Sequence, residues 1–102
     1  MSKNIRFVDI INSAITEVMN ENESVFFIGE DVLDPYGGAF KVSKGLTTKF
    51  PTRVMTTPIS EAGIVGIGTG LAMKGNPCFV EIMFGDFLAL TLDQLLNHAA
   101  KL

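Results

Sequence analysis

The amino-acid sequence predicts an α/β fold with a mostly parallel sheet. Apolar residues recur at three- and four-residue spacing across residues 7–20, which indicates an amphipathic helix. Two short runs rich in β-branched and aromatic residues, 25–28 and 77–82, are typical of strands that are buried on both faces. Because a helix precedes each strand along the chain, the order of elements favours α/β architecture.

The composition is that of one small domain with little charge. The chain has 102 residues, of which 47% are hydrophobic and 19% are charged, so it is not a disordered chain. Its net charge is −3 and it has no Lys/Arg cluster, which excludes the nucleic-acid-binding and anionic-membrane-binding classes. The low charged fraction predicts that some apolar surface meets a partner.

The single cysteine and the N-terminus bear on cellular location. Cys78 lies inside an apolar run, so we expect a buried structural thiol in a reducing compartment rather than a disulfide or a cysteine metal cluster. The first residues lack the apolar segment of a signal peptide, and no apolar run of about 18 residues occurs. These features predict a soluble, cytoplasmic protein.

The elements follow in order along the chain. The first helix ends in the polar cluster 20–23, and the strand 25–28 is closed by Gly29. From Glu30 to Arg53 the periodicity fades and glycines and prolines mark turns, which predicts a long connection that can carry a short helix. Connections of that length are often functional.

The second helix, over residues 61–74, has clear start and stop signals. Ser60 is the expected N-cap, Glu61 lies in the first turn, and Gly75 follows the last turn. Each interior glycine would weaken a solvent-exposed helix by about 1 kcal/mol relative to alanine, so we expect a close approach of backbone or ligand. These glycines are Gly63, Gly66, Gly68 and Gly70.

A last helix is predicted to begin at Asp86. Its apolar stripe comprises Leu88, Leu92, Leu95, Leu96 and Ala99. A three-layer α/β domain needs more than the two or three strands found here, so the sequence indicates part of a domain.

Three clusters could carry chemistry, and all lie at strand ends or helix starts: residues 29–32, 57–63 and 83–87. In open α/β sheets ligands bind beyond the carboxyl ends of the strands, where the first and third clusters are expected. Glu61 lies among apolar residues in the first turn of its helix. The alternative to a functional carboxyl is an ordinary first-turn acid that stabilises the helix dipole.

Other motifs point away from function. The helix glycines do not have the spacing or position of a dinucleotide fingerprint, and Gly37-Gly38 is interpreted as a turn because no phosphate-loop lysine follows. Phe84 and Phe87 are core aromatics by default. His98 has no second ligand in its helix and forms no metal site.

Taken together, the motifs resemble the β subunit of pyruvate and branched-chain 2-oxo acid dehydrogenases. The resemblance begins with Gly29-Glu30-Asp31-Val32 and the run 37–46 and covers nearly the whole chain. It continues, in the family's order and spacing, through residues 53–54, 57–66, 81–82, 86–87, 93–94 and 97–101.

The resemblance implies a partial three-layer thiamine diphosphate-binding domain of the transketolase-like, pyrimidine-binding type, in which residues 1–102 are the N-terminal part of one truncated domain. It implies oxidative decarboxylation of a 2-oxo acid, with pyruvate as the expected substrate, and acyl transfer to a lipoyl group. The implied partners are an alpha subunit in an α2β2 heterotetramer and a lipoyl-bearing acyltransferase. The resemblance also implies that the alpha subunit holds the diphosphate through Mg²⁺ and that this chain holds no metal, which is consistent with the lack of a Gly-Asp-Gly motif in the sequence.

Site residues follow from the resemblance by position. Glu61 matches the glutamate that hydrogen-bonds nitrogen N1′ of the cofactor's pyrimidine ring, and sharing that proton activates the cofactor for attack on the 2-oxo carbon. Phe87 matches the aromatic that packs on the ring. Ile59 and Met83 match apolar positions that line the pocket.

The sequence also departs from the family. Family members are much longer, and Pro51 stands where they commonly have glycine. The alternative hypothesis is a truncated, non-catalytic relic or assembly fragment whose apolar faces only bind a partner. A generic nucleotide-binding module would need a glycine-rich strand-to-helix turn, which the sequence lacks.

Overall fold

The computed structural model describes residues 6–83, 90–91 and 95, and within them three helices alternate with three strands. In chain order the elements are α1 (Phe7–Glu21), β1 (Phe26–Gly29), α2 (Leu46–Lys49), β2 (Val54–Thr56), α3 (Glu61–Met73) and β3 (Cys78–Glu81). The predicted last helix, from Asp86, lies almost entirely outside the described residues. No helix in the described part of the chain is both long and apolar enough to cross a membrane.

The sheet is parallel throughout, in the order β2-β1-β3. Gly29 at the end of β1 is in register with Thr56 on one side and with Glu81 on the other. The carboxyl ends of the three strands therefore meet at one edge of the sheet. The predicted α/β class and parallel sheet are confirmed, and the sequence analysis missed β2, which directly follows the predicted connection.

The core has two faces. On one face α1 and α2 pack on Phe27 of β1 and Val54 of β2, and α1 contributes Ile15 and Met19. On the other face α3 buries Ile64 and Val65. A Cβ added at Gly68 would lie 2.6 Å from Cγ2 of Val80 and 3.9 Å from Cδ1 of Ile28. This confirms the expected close approach at Gly68, although nothing lies within 4 Å of a Cβ at Gly70.

The predicted ends of α3 are also confirmed. Ser60 has an extended backbone and its hydroxyl accepts a hydrogen bond from the Gly63 N–H at 3.2 Å, which is N-cap geometry. A Cβ at Gly63 would lie 2.8 Å from that hydroxyl, so glycine leaves room for the cap. Gly75, with φ of +93°, adopts the left-handed conformation that ends helices.

The long connection is ordered by two polar side chains. The Asp34 carboxylate accepts hydrogen bonds from the N–H of Gly45 at 2.7 Å and from the N–H and hydroxyl of Thr48 at 3.0 and 2.8 Å, which organises the start of α2. Arg53 donates to the carbonyl oxygens of Met19, Asn22 and Val25 at 2.7 to 3.1 Å and joins the end of α1 to β1. The short helix expected in this segment is α2.

Cys78, at the start of β3, is half-buried rather than fully buried as expected. Burial raises the pKa of its thiol to about 11, partly offset by a backbone hydrogen bond at Ile28. The thiol is therefore protonated and unreactive at neutral pH.

Candidate active site at the carboxyl edge of the sheet

The candidate site lies at the edge where the parallel strands end. Glu30 follows β1, Thr57 follows β2, and Glu81 is the last residue of β3. Adjacent strands are separated by about 4.8 Å, so the register brings these three residues close together. We call them, with Glu61, the carboxyl edge.

Glu61 is the first residue of α3, and only 7% of its surface is exposed. Ser60 caps the helix through its side chain, which fixes the direction in which the first turn leaves the sheet. A first-turn acid that served only the helix dipole would gain nothing from burial, because removing a charge from water costs free energy. The burial of Glu61 therefore favours a functional carboxyl over the ordinary alternative.

Glu30 lies beside Glu61 and is still more buried, with 4% of its surface exposed. Burial raises the pKa of Glu30, and the Glu61 carboxyl raises it further, through a hydrogen bond and through its charge, with Asp31 adding to the effect. Two neighbouring carboxyls favour a state in which they share one proton. Glu30 and Glu61 form what we call the carboxyl pair.

Glu81 extends the acidic character of this edge to the other face of the sheet. Burial raises the pKa of Glu81, and the charge of Glu30 raises it further. A Cβ added at Gly38 would lie 3.2 Å from Oε2 of Glu81, so the long connection passes directly over this carboxyl. A side chain at position 38 would contact this carboxyl tightly, and the φ of +85° at Gly38 is itself unfavourable for any residue with a Cβ.

Unsatisfied polar atoms are concentrated at the same edge. Among the described residues, the buried side-chain oxygens without a hydrogen-bond partner are Oε1 of Glu30, Oγ1 of Thr57 and Oε1 of Glu81. Most buried polar atoms in proteins have a partner, so exceptions call for an explanation in terms of function or bound solvent. Because a buried polar atom without a partner lowers the stability of the folded state, their clustering indicates that stability is reduced at this edge.

The structure brings only some of the sequence-predicted site residues together. Glu61 is buried at this edge, and Ile59, two residues before it, is 82% exposed and presents an apolar surface beside the site. Met83 lies beyond the end of β3 and lines a cavity of about 300 Å³ with Phe40 and Glu81, whose lining does not include Glu61. Phe87 lies outside the described residues.

Sequence reasoning missed how Glu30, Thr57 and Glu81 relate to Glu61. All three belong to motifs that the sequence analysis quoted, but it gave none of them a role in the site. A usable signal was available, because each lies where a parallel strand ends and such ends converge. Among the described residues, no three His, Cys, Asp or Glu side chains are arranged to hold a metal ion.

Comparison with known proteins places this chain in a family. Residues 3–102 match the family described as "Transketolase, pyrimidine binding domain". The chain is 45% identical over 101 residues to "Pyruvate dehydrogenase E1 component subunit beta-1, mitochondrial" of Oryza sativa subsp. japonica, a match that covers 98% of this chain and 27% of the relative.

A second kind of relative is "2-oxoisovalerate dehydrogenase subunit beta" of Bacillus subtilis (strain 168). It is 41% identical over 97 residues, which is 94% of this chain and 29% of the relative. The chain thus spans less than a third of the length of these two relatives.

Proposed function

The chain belongs to the transketolase pyrimidine-binding domain family, with β subunits of 2-oxo acid dehydrogenases among its relatives, and on that premise we propose that it binds the aminopyrimidine ring of thiamine diphosphate and activates the cofactor. In this proposal residues 1–102 form the N-terminal part of one pyrimidine-binding domain. The reaction served is the oxidative decarboxylation of a 2-oxo acid, with acyl transfer to a lipoyl group.

The observation that carries the proposal is the burial of Glu61 next to a second buried carboxyl. Because burial and Glu61 both raise the pKa of Glu30, Glu30 retains its proton more readily than an isolated acid would, and it holds that proton beside Glu61. A ring nitrogen such as N1′ needs a carboxyl that holds a proton and can share it. The site therefore fits the pyrimidine ring of thiamine diphosphate.

We assign roles to the chain's own residues by their match to the family. Glu61 holds the shared proton at N1′, and the surrounding apolar residues exclude water, which strengthens that hydrogen bond. Ile59 and Met83 line the ring pocket, and Phe87 packs on the ring face. When bound, thiamine diphosphate supplies the carbon nucleophile that attacks the 2-oxo acid and accepts the electrons released on loss of carbon dioxide.

The proposed partners complete the enzyme. An alpha subunit holds the diphosphate through Mg²⁺ in an α2β2 assembly, and a lipoyl-bearing acyltransferase receives the acyl group. Relatives named for pyruvate and for 2-oxoisovalerate both match this chain, and we propose pyruvate as the substrate. A cytoplasmic location stays a prediction, since the rice relative is named mitochondrial.

Glu61→Gln tests the proposal in the assembled enzyme. Glutamine keeps the shape of the side chain but removes the acidic proton, so we expect exchange of the cofactor's C2 proton to slow by about 100-fold or more. The measurement is hydrogen–deuterium exchange at C2 in the loaded enzyme. Glu23→Gln, which changes an exposed acid, is the control and should leave the rate unchanged. A normal exchange rate in Glu61→Gln would refute the assignment.

A further inference from the structure

The helix α1 presents apolar side chains to solvent as well as to the core. Ile15 and Met19 are buried against the sheet. Phe7, Ile10 and Val18 are instead 76%, 55% and 38% exposed. Their spacings of three, eight and eleven residues place them on one side of the helix, and we call these three residues the α1 stripe. An exposed apolar stripe of this kind marks an interaction surface, as the low charged fraction of the sequence predicted.

An apolar cavity of about 300 Å³ lies beside the same helix. Its lining comprises Ile15, Phe27, Phe40, Val42, Phe79 and residues 80–83. Phe40 is 58% exposed, so this wall of the cavity borders solvent. Ligand pockets have volumes of about 300 to 1,000 Å³, so a cavity of this size has room for one aromatic side chain. Its phenylalanine walls suit an aromatic occupant, because aromatic rings pack favourably against one another.

The exposed aromatic and the cavity are related by the geometry of the helix. Phe7, Ile11 and Ile15 are spaced by four residues and form one ridge along α1. A two-fold axis beside Ile11 exchanges Phe7 with Ile15, because each lies four residues from Ile11. Two α1 helices that cross in antiparallel directions about this axis therefore place Phe7 of each copy against Ile15 of the other. Ile15 lines the cavity, so each Phe7 meets a cavity of the other copy.

We propose that two copies of this chain associate through their α1 helices, antiparallel about Ile11, with Phe7 of each copy inserted into the cavity beside Ile15 of the other. The same patch is used by both copies, so the contact closes at a dimer. Glu61 does not line this cavity, and the inference therefore does not depend on the proposed function.

The charges beside the stripe favour the antiparallel arrangement. Arg6 precedes Ile11 by five residues and Glu17 follows it by six. The eleven residues from Arg6 to Glu17 make about three turns, so the two side chains lie on the same side of the helix. Antiparallel copies bring Arg6 of each toward Glu17 of the other, whereas parallel copies place like charges together. Arg6 contacts Asp9 of its own helix at 3.3 Å, but both side chains are at least half exposed, and such pairs are weak.

Sedimentation velocity of the chain over a concentration series tests the proposal. Few exposed apolar side chains take part, and the contact is smaller than the about 800 Å² per partner of a standard interface, so we expect a monomer–dimer equilibrium in the micromolar range. Phe7→Ala should weaken the dimer by about 10-fold or more, because an inserted aromatic carries much of the energy of such a contact. Its exposure means that this variant should fold normally.

Met73→Ala is the matched control, since it removes a side chain that is 67% exposed from α3 rather than α1. It should leave the equilibrium unchanged. A chain that is still monomeric at about 500 μM overturns the proposal. A dimer that Phe7→Ala does not weaken overturns it as well.

Cysteine cross-linking under copper-catalysed oxidation tests the direction of the two helices. Ile10→Cys places a thiol one residue from the two-fold axis, so a disulfide should join the two copies. Val18→Cys lies seven residues from the axis and about 20 Å from its counterpart, which is too far for a disulfide. Both variants retain Cys78, whose thiol has a pKa of about 11 and is protonated at neutral pH. Cross-linking of both variants would show a parallel pair, and cross-linking of neither would show no α1 contact; either result overturns the proposal.

Discussion

Glu30 and Asp34 lie in the same connection, yet the fold treats their carboxyls in opposite ways. The Asp34 carboxylate accepts three hydrogen bonds, from Gly45 and Thr48, whereas Oε1 of Glu30 has no partner in the described structure. Burial acts to raise the pKa of Asp34, but those bonds and the charge of Lys44 outweigh it and hold the pKa below its usual value. For Glu30, burial and Glu61 act in the same direction and raise the pKa.

The difference distinguishes an acid that builds structure from one that is available for chemistry. Donors around Asp34 stabilise its charged form, so that carboxylate contributes to folding at neutral pH. Glu30 is placed against another acid, which favours a retained proton at the expense of stability. Substitutions at the two positions should therefore change stability with opposite signs.

Asp34→Ala is expected to have the largest effect. It removes three acceptor contacts and leaves the N–H groups of Gly45 and Thr48 without their partner, so the free energy of unfolding should fall by about 2 kcal/mol at pH 7. Asp34→Asn keeps one acceptor oxygen and should lose roughly half as much. Chemical denaturation of the chain measures both changes.

The control for Asp34 is Glu23→Ala, which alters an exposed acid outside any described hydrogen bond and should change stability by less than about 0.5 kcal/mol. An Asp34→Ala variant as stable as this control would contradict a structural role for Asp34 and remove the contrast with Glu30.

The pH dependence of stability should separate the two acids. The folded-state pKa of Asp34 is lowered, so its contribution is present above its ordinary value of 3.8 and is lost as pH falls toward the folded value. The pKa of Glu30 is raised, so its contribution is present below its ordinary value of 4.5 and is lost as pH rises through the folded value. Denaturation midpoints across this range measure both effects.

Two variants assign those effects. Asp34→Asn should flatten the loss of stability on the acid side, and Glu30→Gln should flatten the loss on the side above pH 4.5. If Asp34→Asn instead flattened the loss above pH 4.5 and Glu30→Gln flattened the loss on the acid side, the directions of the two pKa shifts would be assigned to the wrong residues.

Local signals in the sequence predicted most of the fold. Periodicity and caps located α1 and α3, and apolar runs located β1 and β3, because these features act within a few residues. The strand β2 was not predicted, because it has only three residues, of which only Val54 is buried, and it is held by hydrogen bonds to β1. So short a segment has no periodicity to detect.

The candidate site was predicted less completely for a related reason. Glu61 was identified from its place after an N-cap and from the family resemblance, both of which can be seen along the chain. The pairing of Glu61 with Glu30 depends on the sheet order, in which β1 lies between β2 and β3. That order is fixed by tertiary packing, so the sequence alone could not reveal the carboxyl pair.

Glu30→Gln should have a smaller effect than Asp34→Ala, and its sign is the sharpest test of the comparison. Above its folded-state pKa, Glu30 is a buried charge beside Glu61, whereas the amide stays neutral and can donate a hydrogen bond to the Glu61 carboxyl, so we expect the free energy of unfolding in that pH range to rise by about 1 kcal/mol. Glu17→Gln, at an exposed position on α1, is the matched control and should be neutral. A loss of stability in Glu30→Gln would mean that Glu30, like Asp34, stabilises the fold as a charged group, and the carboxyl edge would then be a structural feature rather than a site that retains a proton.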